Sequence, residues 1–405
     1  MVINGEWDQR SLTISIKANC LTISLSVSGG AEVYSFDGEG RLWTALLEGV
    51  SYRRGLDGKL VAKWQTPGGG RDRCWLPPEK ADELQAYIRK QVAGLLRALQ
   101  DGQVRLDQPL PQQGLDDMRR AVAFDQQRIE ADVARYHQVY KPVGILPPDQ
   151  YMAVVLQATE GCAFNTCTFC DFYKSRPFRI KKPDEFSEHL LAVREFLGRG
   201  LSLRRTIFLG DANALVTPMN RLVPMFEAVH RVYDVQGLGG IYAFLDGFSG
   251  EKKSARDYHM LSEMGLERVY VGLESGNQEL LNFLKKPGKA ADAVKAVRAM
   301  KAGGVAVGVI VLLGAGGHTY SRAHVRDTIA AINAMELDLN DIVYFSELVE
   351  TEGKAYVRDA YQASLRPLTE AERIAQAEAI EEGLQFSRRG GVPHISRYDI
   401  REFVY

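Results

Sequence analysis

Three thiols lie within nine residues, in Thr159-Glu160-Gly161-Cys162-Ala163-Phe164-Asn165-Thr166-Cys167-Thr168-Phe169-Cys170. The spacing is C-x4-C-x2-C. Three thiolates on one short loop can ligate three irons of a [4Fe–4S] cluster and leave the fourth iron open to an exchangeable ligand. No fourth cysteine is near, since Cys20 and Cys74 are isolated. Phe169, beside the last thiol, would shield such a cluster from water. Other readings compete. A structural zinc site ordinarily takes four protein ligands, and the flanking histidines, His137 and His189, are well removed in sequence. A disulfide suits a reducing compartment poorly. Three unrelated buried cysteines would not be expected at this spacing. Iron–sulfur is therefore the first reading, with zinc as the alternative.

The elements that must position this loop are legible in outline. The chain has 405 residues, enough for two to three domains. Its 50 basic and 51 acidic side chains leave a formal charge of −1, so bulk charge does not indicate binding to nucleic acid or an anionic membrane. No apolar run is long enough to span a bilayer, and the first ten residues lack the apolar stretch of a signal peptide, so a cytoplasmic location is expected. Residues 1 to about 75 alternate apolar and polar, with turns at Asp37-Gly38-Glu39-Gly40 and Asp57-Gly58 that predict hairpins. Two amphipathic helices are expected next, one ending near Gly102 and one over 114–140. Leu146-Pro147-Pro148 marks a boundary.

After residue 150, six short apolar runs alternate with helical segments. The runs are Met152–Ala158, Thr206–Gly210, Ile241–Leu245, Arg268–Leu273, Val305–Leu313 and Ile342–Phe345. The helix after the second run is expected to start at Pro218 with Thr217 as its cap. The expected class is α/β: a partial (β/α)6 TIM-like barrel over 149–350, an N-terminal α+β accessory domain over 1–148, and a C-terminal helical extension with a tail over 351–405.

Taken together, these residues resemble the radical S-adenosylmethionine (SAM) superfamily over roughly 150–350. That family's usual loop is C-x3-C-x-aromatic-C; this chain has one more residue between the first two cysteines and keeps the aromatic. Four further stretches follow in order. Phe208-Leu209-Gly210-Asp211 is similar to the Gly-Gly-Glu-like motif that holds the methionine amino group of SAM, which implies that role for Gly210 and Asp211. Val271-Gly272-Leu273-Glu274-Ser275-Gly276 resembles the ribose-contacting strand end, with Glu274 first and Ser275 second as candidates. Lys285-Lys286 lies where related proteins place a cation for the methionine carboxylate, and Lys286 is the chosen candidate. The strand ending in Leu313-Gly314-Ala315-Gly316-Gly317 resembles the one that runs along the adenine, implicating Gly314 and Gly316.

The resemblance implies two cofactors, a [4Fe–4S] cluster and S-adenosyl-L-methionine. It implies reductive cleavage of SAM to a 5′-deoxyadenosyl radical that abstracts hydrogen from a substrate. The alternative is a non-enzymatic iron–sulfur or zinc-binding protein on a barrel-derived scaffold. A second cluster would lack ligands, and no Asp-x-His-x-x-Gly cobalamin signature is present. Lys174–Lys182 is a basic stretch suited to solvent, an anionic substrate, or an electron donor of flavodoxin or ferredoxin type. The remaining strand ends carry Asp246, His318 and Glu347, which are expected to line the pocket for an unidentified substrate, because barrel sites gather at the C-terminal ends of strands.

Overall fold

Period-two alternation in the first hundred residues folds as an antiparallel sheet. A computed structural model describes residues 1–27, 30–67, 69–249, 252–351, 353–386 and 390–405. The chain divides into two units, one of Met1–Met152, Leu191–Arg205 and Arg401–Tyr405, the other of Ala153–Leu190 and Thr206–Ile400.

In the first unit, eight strands from Val2–Trp7 to Arg71–Trp75 follow one another as a meander, and a short ninth, Arg105–Leu106, pairs back onto the first. The alternation shows in Arg10–Ile16, where Leu12, Ile14 and Ile16 are buried. These side chains pack with Ile88, Val92 and Leu95 of the helix Pro78–Gln100 and with Met118 and Ala121 of the helix Gln112–Ala123. Both expected turns are present: Asp37 N–H donates to Arg41 O at 3.0 Å and Gly55 N–H to Lys59 O at 2.8 Å. The single helix expected over 114–140 is two, Gln112–Ala123 and Gln126–Val139. Asp125 separates them because its side chain accepts from Arg128 N–H and caps the second.

The second unit is built on seven parallel strands in sequential order. They are Ala153–Gln157, Thr206–Gly210, Ile241–Asp246, Leu266–Glu274, Ala306–Leu313, Ile342–Glu347 and His394–Tyr398. The first six are those expected from the sequence. The seventh comes from the stretch read as a tail, and it pairs with the sixth from Ile342↔His394 to Ser346↔Tyr398. The helix after the second strand runs over Met219–Val232 with Pro218, not Thr217, at its N-cap. Thr217 is buried and gives its carbonyl to the Lys253 ammonium instead.

Aromatic side chains from five strands pack against one another across the sheet, mostly edge to face. Phe208 and Phe244 rings lie 5.0 Å apart, Phe244 and Tyr270 6.0 Å, Tyr270 and Tyr344 6.5 Å, and Tyr344 and Tyr398 5.4 Å. The fifth strand, Ala306–Leu313, makes room for this layer with a glycine. A Cβ on Gly308 would sit 2.4 Å from Tyr270 Cδ1. Gly308→Ala is therefore expected to destabilise the protein by about 1–3 kcal/mol through overpacking. A thermal midpoint equal to that of the wild type would show that Tyr270 moves aside without cost.

Candidate functional site

The cysteine loop leaves the end of the first barrel strand and is closed at its base by a two-residue ladder, Thr159–Glu160 against Arg179–Ile180. The Glu160 carboxylate accepts from Arg179 Nε at 2.9 Å and Nη2 at 2.8 Å, and Lys181 Nζ lies 3.4 Å away. Gly161 opens the loop at φ 77°, and a Cβ there would lie 2.8 Å from Pro177 O. The residue extra to the usual spacing is accommodated locally. Asn165 adopts φ 52°, a left-handed conformation that asparagine tolerates better than most residues. Its side-chain amide donates to Tyr173 O at 2.9 Å and its carbonyl accepts from the Lys174 ammonium. Thr168 then docks the loop on the barrel: its N–H donates to Leu284 O at 3.0 Å and its carbonyl accepts from Tyr356 N–H at 3.0 Å. Phe169 packs against Leu280, Leu284, Leu312, Ala315 and Tyr356. The basic stretch after the cysteines is thus largely consumed within the loop, because Lys174, Arg179 and Lys181 all have partners in it or at its base.

Cys162, Cys167 and Cys170 are partly buried and form no disulfide. Burial pushes the Cys170 thiol up to about 12, with Cys167, Cys162 and Glu274 adding to the effect. Burial also raises Cys167, and the Lys286 ammonium opposes it. Among the described residues, no group of three His, Cys, Asp or Glu side chains is gathered to hold a single metal ion.

Asp211, at the end of the second strand, is buried. Its Oδ1 accepts from Gln157 Nε2 at 2.7 Å, and its Oδ2 accepts from Gly161 N–H at 3.0 Å and lies 3.6 Å from Arg176 Nη1. The carboxylate therefore clasps the end of the first strand to both flanks of the cysteine loop. Burial raises its pKa, and Arg176, Gln157 and Gly161 oppose that shift.

Glu274 and Lys286, chosen separately from the sequence, meet. Lys286 Nζ lies 3.4 Å from Glu274 Oε1, and both are largely buried. The pair leans over Gly272, where a Cβ would be 2.5 Å from Glu274 Oε1 and 3.4 Å from Lys286 Nζ. Burial raises Glu274 and works to lower Lys286. Glu274, Cys167 and Asp246 together outweigh burial at Lys286, which stays a cation. Electrostatics also couple Glu274 to Tyr398 on the seventh strand, whose hydroxyl bonds with Ser346 on the sixth. Charge interactions thus link Lys286 to Glu274, Cys167 and Asp246, and Glu274 to Tyr398. Asp246 is itself fixed: Oδ1 accepts from Ser249 N–H at 2.5 Å, and Oδ2 accepts from Ser249 Oγ at 2.8 Å and from Asn213 Nδ2.

The other candidates lie differently. Ser275 is wholly buried, with Oγ 2.7 Å from His324 Nδ1 and accepting from Asn277 N–H at 3.0 Å. His318 is half exposed and bonds Glu372 at 2.7 Å, so the structure does not bring it to Asp246; the turn into the helix Gly317–Asn333 carries it outward. Glu347 accepts from Arg373 Nε at 3.1 Å. The glycine turn serves packing, since Gly314 N–H donates to Gln376 at 2.8 Å and Gly316 N–H to Tyr356 OH at 2.9 Å. At Gly316, with φ 74°, a Cβ would be 2.6 Å from Tyr320. Sequence reasoning missed Gln157, Asn213, Ser346 and Tyr398. Their only signal is position at the ends of parallel strands.

Residues 156–332 match the family model of the Radical SAM superfamily. Among solved structures, the chain is similar to the cobalamin-dependent S-adenosylmethionine radical enzyme OxsB at 12% identity, over 80% of this chain and 37% of that one, with a TM-score of 0.39. It is similar to methylornithine synthase at 15% identity, over 70% and 81% of the two chains, with a TM-score of 0.40. Coproporphyrinogen III oxidase from Escherichia coli gives 12% identity, over 63% and 55%, with a TM-score of 0.41. The chain spans well under half of the OxsB chain. No curated protein sequence matches it. Among the described residues, no helix is long and apolar enough to cross a membrane.

His324 generates a pH prediction. Burial holds its imidazole near 4, against an ordinary value of 6.5. Between those values the unfolded chain binds a proton that the folded chain does not. Stability is therefore full above about pH 6.5 and is lost as pH falls towards 4. At 1.36 kcal/mol per unit, the loss is about 3 kcal/mol. Urea unfolding of wild type and His324→Asn at pH 7, 5.5 and 4 should show the wild type losing that much more than the variant. Parallel curves would exclude the assignment.

Proposed function

We infer that this protein, whose residues 156–332 are a radical SAM domain, is a radical SAM enzyme that acts on a substrate yet to be identified. The observation that carries the reading is the three-cysteine loop together with the buried Lys286–Glu274 pair, whose ammonium acts electrostatically on Cys167. The donor set fits the implied cluster. It offers three thiols on one loop with no fourth cysteine beside them. Cys162, Cys167 and Cys170 would each hold one iron, and Phe169 with its aliphatic neighbours would keep water from the cluster. With SAM bound, the cluster supplies one-electron cleavage of SAM to a 5′-deoxyadenosyl radical, which takes hydrogen from substrate.

The chain's own residues do the positioning. Lys286 meets the methionine carboxylate, and Glu274, opposite it, accepts from the ribose hydroxyls. Gly210 leaves space at the second strand end, where a Cβ would be 3.3 Å from Val155. Asp211 acts mainly through Gly161 and holds the cysteine loop in place. Asp246 is linked by charge to Lys286 and is the retained candidate for substrate contact. His318 is bonded to Glu372 and Glu347 to Arg373. The electron comes from a flavodoxin- or ferredoxin-type donor.

Anaerobic reconstitution with iron and sulfide, followed by SAM and dithionite, tests the reading by release of 5′-deoxyadenosine. Cys162→Ala, Cys167→Ala and Cys170→Ala should each lose the cluster absorbance and this product, whereas Cys20→Ala and Cys74→Ala keep both. Intact clusters in all three loop variants would refute it. Lys286→Met should weaken SAM binding roughly tenfold or more, since a hydrogen bond to a charged group contributes about 1.5–3 kcal/mol. Equal dissociation constants for SAM would remove Lys286 from the site.

A further inference from the structure

Glu274 stands at a strand end in the left-handed region, at φ 59°, where a residue with a Cβ stays only if its surroundings hold it. The backbone just after it is stapled to one face of the helix Gly317–Asn333. Ser275 Oγ lies 2.7 Å from His324 Nδ1, and Gly276 N–H donates to Thr328 Oγ1 at 2.9 Å. Asn277 Nδ2 donates to Asp327 Oδ2 at 2.7 Å. Thr328 Oγ1 also lies 3.4 Å from His324 Nδ1. The approach is so close that a Cβ on Gly276 would fall 2.0 Å from Asp327 O. Ser275, His324 and Thr328 have no exposed surface. Two hydroxyls converge on His324 Nδ1, and its Nε2 has no hydrogen-bond partner among the described residues. The tautomer of the ring sets which partner donates in these contacts, and in either case Nδ1 ties Ser275 and Thr328 together. The same segment continues into the helix Gln278–Phe283, capped by Asn277 Oδ1 accepting from Leu280 N–H at 2.9 Å, and so towards Lys286.

We propose that His324, Asp327 and Thr328 are positioning residues for the SAM site: they fix the Glu274–Asn277 turn, and with it the Glu274 carboxylate opposite Lys286. None of the three touches SAM on this reading. Pre-organisation of a carboxylate by locked neighbours is how a site keeps its geometry to a fraction of an ångström. The inference rests on Glu274 being a SAM contact, and the experiment separates the two.

SAM dissociation constants are measured by equilibrium dialysis on reconstituted wild type, Glu274→Gln, Thr328→Val, Thr328→Ser, His324→Leu and His324→Asn. Cluster content and thermal midpoint at pH 7.5 are recorded for each. Thr328→Val keeps the shape but leaves Gly276 N–H without its acceptor, so SAM affinity should fall about tenfold, the scale of one buried unsatisfied donor. Thr328→Ser should restore it. His324→Leu should also weaken binding, and His324→Asn, with a hydrogen-bonding amide where Nδ1 stood, should recover most of it. The change that SAM causes in the EPR spectrum of the reduced cluster should be lost in Thr328→Val and kept in Thr328→Ser. If Glu274→Gln weakens binding and Thr328→Val does not, the positioning role is wrong while the site stands. Equal loss in Thr328→Val and Thr328→Ser would likewise overturn it. If Glu274→Gln binds SAM as the wild type does, both the site and the inference fall.

Discussion

A buried carboxylate that cannot be left without partners governs the arrangement around the cysteines. Asp211 pays for its removal from water with donors from three places in the chain: Gln157 at the end of one strand, Gly161 at the mouth of the loop, and Arg176 beyond the last cysteine. Removing one partner from such a group costs about 3–5 kcal/mol, far more than a surface contact. The cysteine loop is therefore closed at its root by electrostatics, and its tip is fixed by the threonine contacts to residues 284, 285 and 356. The loop that carries the three thiols is thus held by bonds from residues around them.

The barrel beneath supplies rigidity of another kind. Aromatic rings from the second, third, fourth, sixth and seventh strands fill its interior, and one glycine in the fifth keeps them from colliding. Polar chemistry begins two to four residues further along the second, third, fourth and sixth strands, at Gly210, Asp246, Glu274 and Ser346. This separation follows from parallel register, which brings the same end of every strand to one level.

Much of this was legible from residue types. The cysteine spacing, the six apolar runs, and the acid and base at 274 and 286 were all readable, because each rests on a local pattern or a position at a strand end. His318 and Glu347 were chosen by the same rule, and the structure pairs them with Glu372 and Arg373. A residue one step past a strand can swing with the turn, and Gly316 and Gly317, both at positive φ, redirect the chain just before His318. His394–Tyr398 was illegible as a barrel strand because its polar alternation, HISRY, has no apolar run to announce burial. Asn165 carried a readable clue, since an asparagine in a lengthened loop suggests a left-handed residue that absorbs the insertion.

The seventh strand also bears on how the protein is made. The sixth strand's second edge is covered only when residues 394–398 arrive, and the N-terminal unit takes in Arg401–Tyr405, whose last carbonyl accepts from Asp57 N–H at 3.2 Å. Contacts spanning nearly the whole chain form late, because loop closure precedes their reward. A chain still on the ribosome exposes the bare edge of Ile342–Glu347, which is a template for pairing with a neighbouring nascent chain. The edge stays an aggregation hazard until residues 394–398 cover it.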